Sequence, residues 1–147
     1  MTTALHIRPA TPADAADVAV LIQQHVPSGA LLPRSPDFVA ERANDFLVAV
    51  DGERVVGCVH LSEYSPSLAE VRSLAVDAAY ARRAVDARLL EAVEQLARQR
   101  QYPTLFAVTN DEALFRARGY EPHPVPELYP EQEEVERFAG VLGKELG

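Results

Sequence analysis

Residues 68–76, Leu68-Ala69-Glu70-Val71-Arg72-Ser73-Leu74-Ala75-Val76, follow a Ser65-Pro66-Ser67 break and lead into Asp77. Their branched and small apolar residues predict a strand. The two runs before it, Phe46 to Val50 and Val55 to Leu61, are also β-rich, and Asp51-Gly52-Glu53-Arg54 between them holds an Asp-Gly pair that tolerates positive φ. Three successive antiparallel strands are predicted. Past Asp77 the period changes: Leu89, Leu90, Val93, Leu96 and Ala97 fall on one face of a long helix predicted from about Val85 to Gln101. Pro103 ends it, and Leu105-Phe106-Ala107-Val108 reads as a short buried strand, so a strand-helix-strand crossover follows the hairpins.

Outward from this centre, Leu5 to Pro9 alternate as a strand. Thr11-Pro12-Ala13-Asp14 then carries a threonine cap, proline at the first helical position and an acid three residues after the cap. Val18, Leu21, Ile22 and Val26 make the apolar stripe of that helix, with His25 beside it read as structural. Pro27 to Ser35 is a loop, and Ser35-Pro36 starts a short helix to about Ala43. Towards the other end, Asn110-Asp111 caps a helix through Arg118 that Gly119 stops. Tyr120 to about Leu128 is predicted extended, and the acidic stretch from Pro130, with Val135, Phe138, Val141 and Leu142, as a last amphipathic helix.

The 147 residues and 16.1 kDa amount to one domain's worth of chain, and the apolar share of 48% with 24% charged residues is that of a globular protein. A net charge of −8 repels a phosphate backbone and argues against nucleic acid as a partner. No apolar run approaches the roughly 18 residues of a spanning helix, and the first residues lack a basic stretch followed by an apolar one, so neither membrane insertion nor secretion is expected. One cysteine, Cys58, makes no internal disulfide, and four scattered histidines have no ligand spacing, so no structural metal is expected. Lys144 is the only lysine. The other basic residues are arginines, which grip carboxylates and phosphates with paired hydrogen bonds.

The order strand, helix, helix, three antiparallel strands, helix, strand, helix, strand resembles that of the GNAT superfamily of N-acetyltransferases. Ala69 to Asp77 with Ala78-Ala79-Tyr80 is similar to the superfamily's fourth strand and the approach to its cofactor loop. Leu105 to Asn110 with Leu114-Phe115-Arg116-Ala117-Arg118-Gly119-Tyr120 is similar to the fifth strand and following helix. More narrowly, Leu31 to Ser35, Val56 to Leu61 and Val71 to Val76 resemble the acetyltransferase domain of N-acetylglutamate synthases. The resemblance implies an α/β (α+β) acyl-CoA N-acyltransferase fold over a single domain, residues 1–147, with a mixed, mostly antiparallel sheet flanked by helices.

It also implies acetyl-CoA as co-substrate. The fourth and fifth strands of the superfamily splay, so backbone groups of Leu74, Ala75 and Val76 are expected along the pantetheine arm, Leu74 also as the donor to the acyl oxygen. An ordinary buried Leu-Ala-Val strand fits these side chains equally well. The superfamily's pyrophosphate loop, Arg/Gln-x-x-Gly-x-Gly/Ala, aligns with Ala81 to Asp86, so Arg82, Arg83, Ala84, Val85, Asp86 and Ala87, together with Asn110, are the expected cofactor contacts. Ala84 and Asp86 fill both glycine positions. Asp86 either repels the diphosphate or caps the helix, and Arg82 and Arg83 offset the loss.

Glu70 matches the strand glutamate that acts as general base, often through water, and otherwise pairs with a basic residue across the sheet. Strand alternation puts Glu70, Arg72 and Leu74 on one face. The place of a tyrosine acid in many relatives is taken by Phe115. Leu32 and Arg34 match the synthase motif that grips a substrate carboxylate, and Arg72 and Arg118 are further candidate clamps. Tyr120 and Cys58 read as core.

The expected reaction is transfer of acetyl from acetyl-CoA to the α-amine of a small acidic amino acid, most simply L-glutamate, at the start of arginine biosynthesis in the cytoplasm. A homodimer is left open. The alternatives are a GNAT enzyme for another amine and a non-catalytic GNAT domain that binds a ligand or protein. The longer synthases carry an amino-acid-kinase domain through which arginine inhibits them. These 147 residues hold no counterpart, so regulation is expected to differ.

Overall fold

A computed structural model describes residues 5–81, 84–109, 111–122 and 141–147. The described strands are β1 (Leu5–Pro9), β2 (Phe46–Asp51), β3 (Arg54–Ser65), β4 (Leu68–Val76), β5 (Thr104–Val108), β6 (Glu121–Pro122) and β7 (Val141–Glu145). They form one seven-stranded sheet in the order β1-β2-β3-β4-β5-β7-β6. All neighbours are antiparallel except β4 and β5, which the helical crossover makes parallel. The helices are α1 (Ala15–Gln23), α2 (Pro36–Glu41), α3 (Val85–Gln99) and α4 (Glu112–Ala117).

The helix starts form as their sequences predict. Thr11 and Asp14 make a reciprocal capping box over a 3-10 turn that leads into α1, and Arg8 binds Asp14 with both nitrogens at 2.8 and 3.1 Å. Ser35 Oγ accepts from Phe38 N at 3.1 Å ahead of Pro36, and Asp111 accepts from Leu114 N at 3.3 Å. One expectation is overturned. Val141 and Leu142, read as the end of an amphipathic helix, lie in β7, paired with Val108 and Ala107. Leu142 is buried in the sheet's core, where strand pairing with β5 satisfies its backbone. Residues 123–140, the rest of that reading and of the extended stretch before it, lie outside the described residues.

Two cores flank the sheet. On one face α3 and α4 pack through Val85, Leu89, Leu90, Val93, Ala97 and Phe115 onto Leu47, Val59, Val71 and Leu105. On the other, α1 and α2 cover Phe46, Val48, Cys58 and Ala75 through Val18, Ile22 and Val39. Covered on both sides, β2 is a continuous apolar run from Phe46 to Val50, whereas β4 is interrupted by Glu70, Arg72 and Ser73.

Gly57 sets how closely α3 approaches. A Cβ there would meet Leu89 Cδ1 at 2.8 Å, Val85 Cγ1 at 3.1 Å and the Ala49 Cβ at 3.3 Å. Gly57→Ala is therefore expected to push the first turn of α3 off the sheet and cost about 1–3 kcal/mol, the usual range for overpacking a core. Urea denaturation checks this; an unchanged midpoint would mean the helix yields without cost.

Candidate active site

β4 and β5 pair only from Leu68 against Thr104 to Glu70 against Phe106. Beyond Glu70 the strands part, which leaves a notch with Glu70 at its vertex. Asp77 N donates to Val56 O at 2.8 Å, which makes Asp77 and Val56 a bonded pair of the β3-β4 ladder. Val76, opposite Gly57, is then a non-bonded position whose own N–H and C=O point away from β3, into the notch. Ala75, opposite Cys58, turns its polar groups to β3 instead. The Val76 carbonyl already accepts a hydrogen bond, from His25 Nε2 at 3.0 Å.

Strand β4 changes phase between its two functional halves. Cys58 and His60 of β3 stand opposite Ala75 and Arg72, so β4 carries one extra residue there. Ser73 absorbs it with φ +53°, and its carbonyl accepts from the buried Cys58 thiol at 3.3 Å. The bulge corrects the face assignment. Ala69 and Val71 pack towards α3 before it, while Leu74 and Val76 do so after it, so Leu74 lies on the opposite face from Glu70 and Arg72.

On the α1-α2 face the vertex is lined by cations. Arg72 Nε is 3.6 Å from Glu70 Oε1. The Arg34 and Arg42 guanidiniums lie against the Phe38 ring at 4.9 and 3.9 Å from its centroid. Burial, then Arg72, pulls the Arg34 guanidinium below the ordinary arginine value, with Glu70 opposing. In register across β2, β3 and β4 run Phe46, His60 and Arg72. His60, which the sequence reading did not single out, is buried against Phe46 and held near pKa 4 by burial first and Arg72 next. Leu32 is exposed beside this group's loop.

Arg118 does not join them. It reaches across to α3 and binds Glu94 at 2.9 and 3.4 Å, beside Lys144 at 3.2 Å from the same carboxylate. Glu94 is 0% exposed and belongs to the opposite face of the sheet, so this arginine is engaged within the chain. Phe115, in the place of a tyrosine acid, packs edge-on to Tyr120 at 5.2 Å, and both are buried. Cys58 is buried, and that burial pushes its thiol up to about 12, which leaves no thiolate for attack.

The start of α3 bears on the cofactor. Ala84 caps the helix at φ +56°, the left-handed conformation that glycine adopts freely and that costs a β-carbon about 1 kcal/mol. Asp86 accepts from Ala87 N at 2.8 Å, so its carboxylate is tied into the helix's own first turn. Before the helix, Asp77 accepts from Ala79 N at 2.9 Å and Tyr80 donates to Asp51 at 2.5 Å, which anchor the loop to the β2-β3 hairpin. The open notch and a helix N-terminus beyond it fit an elongated thioester with a diphosphate at its far end. Arg82, Arg83 and Asn110 lie outside the described residues. Among the described residues, no cluster of three or more His, Cys, Asp or Glu is placed to hold a metal ion, and no helix is long and apolar enough to cross a membrane.

Comparison with known proteins bears on the same architecture. Residues 20–120 match the Acetyltransferase (GNAT) family. The chain belongs to this family. GNAT enzymes take acetyl from acetyl-CoA, and this member is an N-acetyltransferase with the GNAT fold. It is 30% identical over 114 residues to an uncharacterized N-acetyltransferase of Chlorobaculum tepidum, covering 78% of this chain and 74% of that one. It is 32% identical over 124 residues to the amino-acid acetyltransferase of Pseudomonas putida, covering 83% of this chain but only 29% of that longer protein. Among solved structures, N-acetylglutamate synthase from Neisseria gonorrhoeae, complexed with coenzyme A and N-acetyl-glutamate, superposes with a TM-score of 0.87 at 24% identity. That superposition covers 100% of this chain and 36% of the synthase.

Proposed function

We propose that this GNAT enzyme acetylates the α-amine of a small acidic amino acid, most simply L-glutamate, a cytoplasmic reaction at the start of arginine biosynthesis. The observation that carries the reading is the meeting of Glu70, at the vertex where β4 and β5 part, with Arg34 and Arg72 on the same face. A dicarboxylate with one amine needs fixed cations and a base within one pocket, and the α1-α2 face supplies both.

The acyl donor supplies an activated thioester when it is bound. Along the notch, the backbone of Leu74 and Val76 binds the arm, and the Leu74 N–H stabilises charge developing on the acyl oxygen. The start of α3, from Ala84 through Val85, Asp86 and Ala87, faces the diphosphate. Glu70 takes the proton from the acceptor amine, directly or through one water, and the amine attacks the acyl carbon without an acyl-enzyme; the C–S bond breaks and the departing thiolate takes its proton from water. Arg34 and Arg72 hold the carboxylates, with Leu32 at the mouth. Similarity to the neisserial synthase complex and to the Pseudomonas amino-acid acetyltransferase supports this acceptor class.

Steady-state kinetics over a panel of amines tests the reading. Glutamate is expected to have the highest kcat/KM, and faster turnover of an amine without a carboxylate would overturn it. Arg34→Ala is expected to raise the glutamate KM by about 10- to 100-fold, the loss of a charged hydrogen bond, while the acetyl-CoA KM stays within about twofold. Equal effects on both would remove Arg34 from the acceptor site.

A further inference from the structure

Among the described residues, two buried polar atoms of the vertex have no partner: Arg34 Nε and His60 Nδ1. Native proteins leave few such atoms unsatisfied, because a buried donor or acceptor without a bond has lost water for nothing. His60 is 4% exposed. Its ring lies flat on Phe46, with centroids 4.3 Å apart and 1° between planes, and meets the Phe38 ring edge-on at 6.0 Å. Stacked on one side and edged on another, the imidazole is not free to turn in search of another partner.

The charges around it select what can satisfy both atoms. Arg34 and Arg42 approach from the loop before α2 and from its end, Arg72 from β4, and Asp45 stands opposite them in sign. Burial and the arginines keep the ring uncharged. Arg34 Nε is a donor only, so a group that serves both atoms must bring lone pairs. An ammonium would leave that N–H unmet and be repelled by the arginines. A carboxylate oxygen meets both conditions. We propose that His60 is a further binding residue of the acceptor pocket, whose Nδ1–H donates, beside Arg34 Nε–H, to one carboxylate of the acidic acceptor. This rests on the acceptor class proposed above.

His60→Phe keeps the ring on Phe46 and removes the donor, whereas His60→Asn returns an N–H near the Nδ1 position. The Phe variant is expected to raise the glutamate KM about tenfold with kcat and the acetyl-CoA KM within about twofold, and the Asn variant to recover most of the loss. In the wild-type protein labelled with 15N-histidine and saturated with coenzyme A, glutamate is expected to shift the His60 Nδ1 resonance. The NMR titration decides the matter should the Phe variant not fold. A glutamate KM unchanged in His60→Phe, or a ring resonance that glutamate does not move, overturns the inference while the acceptor class stands; a water molecule joining the two atoms would give that result. A wild-type enzyme with no preference for acidic amines overturns the acceptor class and this inference together.

Discussion

Glu70→Gln is expected to lower kcat by about 10²- to 10³-fold, the range for losing a positioned general base, with the acetyl-CoA KM within about twofold. The carboxylate sits at the last paired residue before the strands diverge, on the face that carries Arg34 and Arg72, so glutamine keeps the size and the pairing while losing the ability to take a proton. The remaining rate should rise with pH in step with the free-amine fraction, because the variant depends on amine that has already lost its proton. Glu70→Asp should retain part of the activity, limited by reach. A Gln variant within threefold of wild type, with an unaltered pH profile, would exclude Glu70 as the base and leave deprotonation to solvent.

The largest stability effect is expected at Glu94. Its carboxylate is 0% exposed and joins three elements: α3, which carries it, the end of α4 through Arg118, and β7 through Lys144. Glu94→Ala leaves two cations facing an emptied apolar space. Removing one partner of a buried ionic cluster costs about 3–5 kcal/mol. Because Arg118 and Lys144 keep partial access to water, the lower end applies, about 3 kcal/mol, or roughly a 6–12 °C fall in Tm for a domain of this size.

The same group governs acid stability. Burial alone would raise the Glu94 carboxyl, but the hydrogen bonds from Arg118 and the charges of Lys144 and Arg118 outweigh it and hold the carboxyl below the ordinary glutamate value. A depressed folded-state pKa adds stability above the unfolded value, and this is lost as pH falls through the folded one. The wild-type protein should therefore lose stability in the acid range below the ordinary glutamate value more steeply than Glu94→Gln does. Parallel curves would show that Glu94 contributes nothing to the acid transition.

Much of this molecule is legible in its residues because local signals agree with the whole. The caps at Thr11, Ser35 and Asp111, the Asp51-Gly52 turn and the long stripe of α3 each state their structure within a few positions. What escaped depends on pairing between distant segments. The bulge at Ser73 is invisible to alternation, since it arises from how β4 registers on β3 and not from any glycine in β4. Arg118 reads as a substrate clamp until Glu94, 24 positions before it, is known to be buried beneath it. His60 escaped for the same reason: counted from the Asp51 to Arg54 turn, regular pairing sets Val59 opposite Phe46, and only the register shifts at Ala49/Val50 and Glu63/Ser65 bring Phe46, His60 and Arg72 into one row. Val141 to Glu145 is short and does not alternate, so nothing local outweighs the helical spacing before it.

The kink at Ser73 lets a single strand answer to two clients. The side chains of 70 and 72 lie on one face of the sheet and those of 74 and 76 on the other, so under the function proposed above the acceptor residues and the donor stretch are set in different phases of one strand. If Arg72 and His60 hold the acceptor as proposed, a lineage, or an engineer, can redraw which amine is chosen by changing them without retuning the grip on the thioester. Diversity in acceptors upon a constant donor groove is what such a decoupled strand permits.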